Sequence, residues 1–328
     1  MKFFHRREAI ARINQLSATD RPFLFVVNYA QDQSYICPLD EIDSEEVLYA
    51  FPTYTNVSSE EEEHPMRPVV WDAHPESFGS YQQKFNIVQQ HLHRGDSFLT
   101  NLTCRIPIQS NLSLRTLFLE AKAPYKLWFK DHLVCFSPEI FLRIEHGRIA
   151  SYPMKGTIDA TLPQAEEQLM NNEKEAAEHA TIVDLIRNDL SIQASQVEVA
   201  RYRYVDHLIT NKGEILQTSS EIAGNLPKDY RLRMGDILFS QLPAGSITGA
   251  PKPSTVAIIR EAEDYDRGFY TGVMGICHQG RMESAVMIRY IEQENEQLYF
   301  KAGGGITACS NCKDEYDEIK SKTYVPIY

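Results

Sequence analysis

The chain has 328 residues, 43% hydrophobic and 24% charged, a globular composition with enough apolar material for one large domain or two smaller ones. Its formal net charge of -12 argues against nucleic acid or an anionic membrane as partner, because both reward clustered Lys and Arg. Apolar stretches are short and broken by charge, so no transmembrane span fits, and MKFFHRREAIARI lacks the apolar region of a signal peptide; a cytoplasmic protein is expected.

RPFLFVVNYA and its apolar neighbours predict strands of a small N-terminal lobe, residues 1 to 70, integrated with the core of a catalytic domain over 71 to 328. TNVSSEEEEHPMRP, near residues 55 to 70, reads as a solvated loop. Helical periodicity then runs over 78 to 94 and stops at Gly95-Asp96, and SFLTNLTCRIPI reads as a strand. Next come a helix over 112 to 121, strands KLWFK and HLVCF, and a hairpin in which Glu145-His146-Gly147 turns FLRI back into RIASYPM. Helices are expected over 163 to 170 and 173 to 190, with strands over 197 to 205 and 214 to 223. Helices over 231 to 242 and 253 to 262 precede strands over 270 to 277 and 282 to 292. QLYFKA, a triple glycine and a helix from Lys313 close the chain. Mixed strands and helices without regular βαβ spacing favour an α+β fold. The six cysteines are scattered and expected to be reduced, and Cys309 and Cys312 form a lone CxxC without the second pair of a zinc site.

Several positions have residue types that carry chemistry. Glu178 precedes Ile182 and Leu185 at i+4 and i+7, so its carboxylate lies on or beside an apolar helix face, as an internal ion pair, a metal ligand or a base. Glu315 and Glu318 are i, i+3 neighbours in the last helix, and oxygen ligands of this kind suit Mg²⁺; surface solvation is the competing explanation. Gly303, Gly304 and Gly305, read as lying between strand and helix, let backbone N–H groups approach an anion, or simply form a tight turn. PAGSITGAPK lacks the GxxxxGK[ST] spacing of a phosphate loop. Lys155, beside strand-end apolar residues, is a candidate nucleophile, although most such lysines are exposed. Glu139, on the other strand of the same hairpin, is positioned as a general acid or as a cross-strand charge partner.

The stretches GDSFLTNLT, SPEIFLRIEHGRIASYPMKGT, EHATIVDLIRNDL, PAGSITGAPK, RGFYTGVMG, AVMIRY, AGGGI and EYDE follow one another over residues 95 to 318. In order and spacing they resemble the chorismate-utilising family, which includes anthranilate synthase component I, aminodeoxychorismate synthase component I, isochorismate synthase and salicylate synthase. The resemblance implies a large α+β sandwich of two antiparallel β-sheets flanked by helices. It implies that Glu178 and Glu318 hold Mg²⁺, with Glu315 close by, and that the metal binds the ring carboxylate of chorismate. Arg289, Tyr270 and the N–H groups of Gly303, Gly304 and Gly305 would hold the enolpyruvyl carboxylate, and Gly156 and Thr157 would line the ring site.

Within the family, PMKGT is similar to the aminodeoxychorismate synthase branch, where the other branches usually carry Ala at the place of Lys155. The implied chemistry is attack of Lys155 on C2 of chorismate, protonation of the departing C4 hydroxyl by Glu139, and addition of ammonia at C4. The product would be 4-amino-4-deoxychorismate, on the route to 4-aminobenzoate and folate. Gln217 stands where related enzymes have a His; a neutral amide can hydrogen-bond substrate but cannot act as a cationic acid. His207 is the nearest alternative, and His179 reads as helix surface. Nothing resembles a glutaminase nucleophile elbow or a pyridoxal-phosphate lyase, so ammonia is expected from a separate glutamine amidotransferase subunit. The rival expectations are anthranilate synthase component I and a catalytically silent chorismate-binding subunit.

Overall fold

In the computed structural model, which describes residues 1–58, 69–210 and 213–324, strands and helices alternate irregularly. In chain order the elements are β1 (Phe3–Phe4), α1 (Arg6–Ala18), β2 (Phe23–Val27), β3 (Ser34–Pro38), β4 (Val47–Ala50), β5 (Trp71–Ala73), α2 (Phe78–Arg94), β6 (Leu99–Ser110), α3 (Leu114–Glu120), β7 (Tyr125–Phe129), β8 (Leu133–Ser137) and β9 (Ile140–Glu145). They continue with β10 (Arg148–Ser151), β11 (Met154–Asp159), α4 (Ala165–Met170), α5 (Glu173–Ser191), β12 (Ser195–Thr210), β13 (Gly213–Asn225), α6 (Met234–Ser240) and β14 (Gly249–Ala250). The last are α7 (Lys252–Ala262), β15 (Val273–His278), β16 (Arg281–Val286), β17 (Tyr290–Glu294), β18 (Gln297–Ile306) and α8 (Cys312–Lys322). Most of the Glu-rich loop read near 55 to 70 lies outside the described residues.

The strands form two antiparallel sheets flanked by helices. A ten-stranded sheet runs β1-β3-β2-β15-β16-β9-β10-β13-β11, with β12 also on β13, and an eight-stranded sheet runs β14-β6-β18-β17-β8-β7-β4, with β5 also on β6. Strand β2 explains the layering. All five of its residues are buried, which is the signature of a strand covered on both faces. Leu24 and Val26 pack between the sheets with Leu127, Cys135, Met274 and Tyr290, while Phe23, Phe25 and Val27 face a helical layer with Ile13, Ile186 and Leu238. Each fully buried side chain of this size contributes about 1.5–3 kcal/mol. The first residues are therefore built into both sheets: β2 pairs β15, and β4 pairs β7.

Local signals fix several boundaries. Ser77 caps α2 by accepting from Ser80 N–H, and Gly95 ends it in the left-handed region at φ 82°. Asn172 caps α5 and Asn311 caps α8 in the same way. The strand expected over 282 to 292 is instead two strands, β16 in the first sheet and β17 in the second. The chain crosses between sheets through Arg289, held at φ 53° with its carbonyl accepting from Phe136 N–H. The unbroken apolar run over 285 to 288 before Arg289 and the pair Tyr290 and Ile291 after it hide such a crossing, because all but the partly buried Ile288 are fully buried. The helix expected over 231 to 242 is a short 3-10 turn, Tyr230–Arg233, followed by α6.

Candidate functional site

Strand β11 continues the line of β10 along β13 after an interruption at Pro153, which has no N–H to give the ladder. A bulge at Gly156, φ 74°, then displaces the register by one residue. Lys155 pairs with Thr218, whose hydroxyl donates to the Lys155 carbonyl. Its Nζ lies 3.7 Å from Glu178 Oε2, on α5, and the two side chains are only 22% and 10% exposed. A Cβ placed on Gly305 would sit 3.2 Å from the same Nζ, so Lys155 bridges the space between α5 and the second sheet.

The triple glycine is not a turn between strand and helix; all three residues belong to β18, paired with Thr103, Leu102 and Asn101 of β6, and α8 begins only at Cys312. A side chain at 303 would meet Thr103 Cγ2 at 2.6 Å, so close packing of the strands, rather than a turn, requires glycine there. Thr103 N–H donates to Glu263 and Asn101 N–H to Thr248 O, both away from β18. Thr103–Gly303 and Asn101–Gly305 are thus non-hydrogen-bonded pairs, which turns the N–H and C=O groups of Gly303 and Gly305 away from β6. β17 pairs β18 no further than Lys301, so it does not cover this edge. Lys322 Nζ donates to Gly303 O at 3.3 Å, in keeping with that orientation, and pairs with Glu318 at 2.5 Å. Gly304 faces the other way, toward Glu315 Oε2, 3.3 Å from its added Cβ, so the glycine strand separates the Glu315 carboxylate from Lys155.

Glu139 lies just before β9 and accepts from Ser246 Oγ at 2.8 Å. The field of Lys155 reaches its carboxyl group, although no strand pairing joins the two residues directly. Burial raises the Glu139 pKa, opposed by the Ser246 hydrogen bond and by the fields of Lys155, Arg289 and Lys322. The fields of three cations thus act on one carboxyl group in a protein of net charge -12, so the site has local positive charge. Arg289 stacks over Tyr324 at 5.5 Å, and Tyr270, 3% exposed, feels the field of Arg289. Ser246→Ala removes a donor to the ionised carboxylate, so the Glu139 pKa is expected to move further up, read as a displaced ¹³C carboxyl titration relative to the parent protein.

Other expected residues are placed differently. Neighbours on a strand face opposite ways, so Gln217 and its partner Thr157 lie on the sheet face away from Lys155 and Thr218. Leu216, on the Lys155 face, packs with Leu169 of α4, and Gly156 approaches Leu169 and Glu175. His207 is exposed. His179 is not helix surface: it is fully buried and hydrogen-bonded to Ser220 Oγ at 2.6 Å. The buried stripe of α5 is Ile182, Val183, Ile186 and Leu190, and His179 falls on it at i+3, i+4 and i+7, one position along from the face defined by Glu178, Ile182 and Leu185. Burial, then Arg203 and Lys155, lowers the His179 pKa to about 4, so its ring is neutral near pH 7. Ser246 and Lys322 were missed as well; Lys322 has a signal, since it lies one turn beyond Glu318.

Among the described residues, no three His, Cys, Asp or Glu side chains gather closely enough to enclose a metal ion. Glu178 stands on the Lys155 side, and Glu315 and Glu318 on α8. Their oxygen donors match the chemistry of Mg²⁺, which takes one or two protein carboxylates and completes its shell with water or substrate oxygen.

A family model described as chorismate binding enzyme matches residues 7–327. An uncharacterized PabA-like protein of Pasteurella multocida is 48% identical over 318 residues, covering 97% of this chain and 98% of that protein. Aminodeoxychorismate synthase component 1 of Salmonella typhimurium and an anthranilate synthase component 1 of Haloarcula marismortui are each 34% identical over 74% of this chain, and the matches span 55% and 52% of those proteins. The menaquinone-specific isochorismate synthase of Escherichia coli has the same fold, with a TM-score of 0.75 at 16% identity over 98% of this chain and 82% of that one. No helix among the described residues is long and apolar enough to cross a membrane.

Proposed function

The chain belongs to the chorismate binding enzyme family, and within it we propose that it acts as aminodeoxychorismate synthase component I, aminating chorismate at C4. The observation that carries this reading is the position of Lys155, between Glu178 and the glycine strand and within the field of Glu139. Once its ammonium has passed a proton to solvent, the Lys155 amine forms a bond to C2 while the ring double bonds shift and the C4–O bond breaks; Glu139 supplies the proton with which the hydroxyl leaves as water. Ammonia then bonds to C4, the double bonds shift back, and the C2–N bond breaks to return the lysine, so one ammonia replaces one water overall. Arg289, Lys322, Tyr270 and the N–H groups of Gly303 and Gly305 hold and orient the enolpyruvyl carboxylate. Glu178 and Glu318 would hold Mg²⁺, which when bound neutralises the ring carboxylate, while Glu315 lies across the glycine strand from Lys155. Gly156 borders the ring, whereas Thr157 and Gln217 shape the sheet behind it.

Ammonia is supplied by a glutaminase partner, for which the names of the relatives give support. Matches at equal identity to anthranilate synthase keep C2 amination as the second reading. The test is incubation of the pure chain with chorismate, Mg²⁺ and ammonium, with products resolved by mass and ultraviolet spectrum. 4-Amino-4-deoxychorismate is expected; fluorescent anthranilate would assign the second reading, and unconsumed chorismate would defeat both. Chelation by EDTA is expected to stop turnover, with recovery on adding Mg²⁺; undiminished turnover in EDTA would remove the metal from the proposal.

A further inference from the structure

Arg267 and Glu263 form a bidentate ion pair, with Nε to Oε2 at 2.8 Å and Nη2 to Oε1 at 2.6 Å, and both side chains are 2% exposed. Neither touches the reacting groups described above. Their remaining hydrogen bonds all reach segments that carry the site. Arg267 Nη2 donates to Asn101 O at 2.6 Å, and Glu263 Oε1 accepts from the Thr103 N–H and hydroxyl at 2.9 and 2.8 Å. Asn101 and Thr103 are the residues opposite Gly305 and Gly303, and Glu263 satisfies the Thr103 N–H that points away from β18. Arg267 Nη1 donates to Ile247 O at 3.2 Å, beside Ser246, the donor to Glu139. The Arg267 carbonyl accepts from Tyr270 N–H at 3.0 Å and from the buried Lys301 at 2.9 Å.

A buried ion pair is a poor source of net stability, because desolvation offsets most of the attraction, but it fixes geometry where its donors and acceptors are fully used. We propose that the Arg267–Glu263 pair is a positioning unit that sets the glycine edge of β18, Tyr270 and Ser246 at fixed mutual distances, and so preforms the cradle for a substrate carboxylate. Lys301 ties the same turn to the base of the glycine strand. The inference rests on the reading of this site as a chorismate site, but not on which carbon is aminated.

Arg267→Lys retains the charge but has three donors in place of five, and cannot span Glu263, Asn101 and Ile247 together. Glu263→Gln keeps an acceptor for Thr103 and loses the charge. Calorimetric binding of chorismate in the presence of Mg²⁺ is compared with melting temperature for both variants and the parent. The expected result is a chorismate Kd raised at least tenfold in Arg267→Lys, and raised in Glu263→Gln, with thermal transitions still cooperative. The same proteins are assayed for chorismate turnover, where KM is expected to rise far more than kcat falls. A folded Arg267→Lys with unchanged Kd and KM would overturn the proposal, and so would loss of folding in both variants, which would make the pair a stability element. Failure of the parent to bind chorismate at all would instead defeat the functional reading.

Discussion

Lys155→Ala is expected to lower C4 amination of chorismate by about 10³-fold or more, since it removes the only group assigned to form the bond at C2. Alanine also removes a positive charge that faces Glu178 and Glu139, so it does not separate nucleophile from field. Lys155→Arg does. It keeps the charge at the same position, but a guanidinium remains protonated and does not act as a nucleophile at neutral pH. Both variants should therefore be inactive in the mass-resolved assay with ammonium, while the Arg variant retains chorismate binding by calorimetry. An Arg variant that still forms 4-amino-4-deoxychorismate at near-parental rate would reduce Lys155 to an electrostatic element. Glu178 loses its lysine partner in the Ala variant, so melting curves accompany the kinetics.

The parts of this site that the sequence announced are those where one local rule acts alone. Ser77 and Gly95 delimit α2 because caps depend on a few adjacent residues. The helix carrying Glu178 and the β9–β10 hairpin that follows Glu139 are also local, one set by periodicity and the other by a turn. What was not legible depended on distant strands. The glycines look like a turn until β6 is known to run beside them through Ile306. Gln217 occupies an apt position in the alignment of motifs, yet its face follows from a register in which Lys155 pairs Thr218 and Thr157 pairs Gln217 across a bulge. The crossing at Arg289 is invisible because buried apolar residues lie close on both sides of it, and Ser246 matters only through a residue 107 positions away.

Glu139→Gln is expected to show two effects of opposite sign. Burial holds the Glu139 pKa above its ordinary value of 4.5, so more of the carboxyl is protonated than in an exposed glutamate, as an acid that must deliver a proton to the C4 oxygen requires. Its contribution to turnover falls as pH rises through the raised pKa, which gives the parent an alkaline limb in kcat. Glutamine can still accept from Ser246, so substrate binding should change little, but it has no proton to deliver; kcat is expected to fall about 10²–10⁴-fold and to lose that limb. Stability moves the other way. Because the folded state binds the proton more tightly than the unfolded chain, unfolding free energy decreases as pH rises from the unfolded pKa to the folded one, and the cost of a buried carboxylate is present in full above that window. Glu139→Gln is relieved of this cost and should melt at a higher temperature than the parent at neutral pH, with the difference vanishing below pH 4.5, where both side chains are neutral. A variant that is inactive but melts lower at neutral pH would show that the three surrounding cations outweigh burial. A variant with unchanged kcat would remove Glu139 from the chemistry and leave the C4 oxygen to another donor.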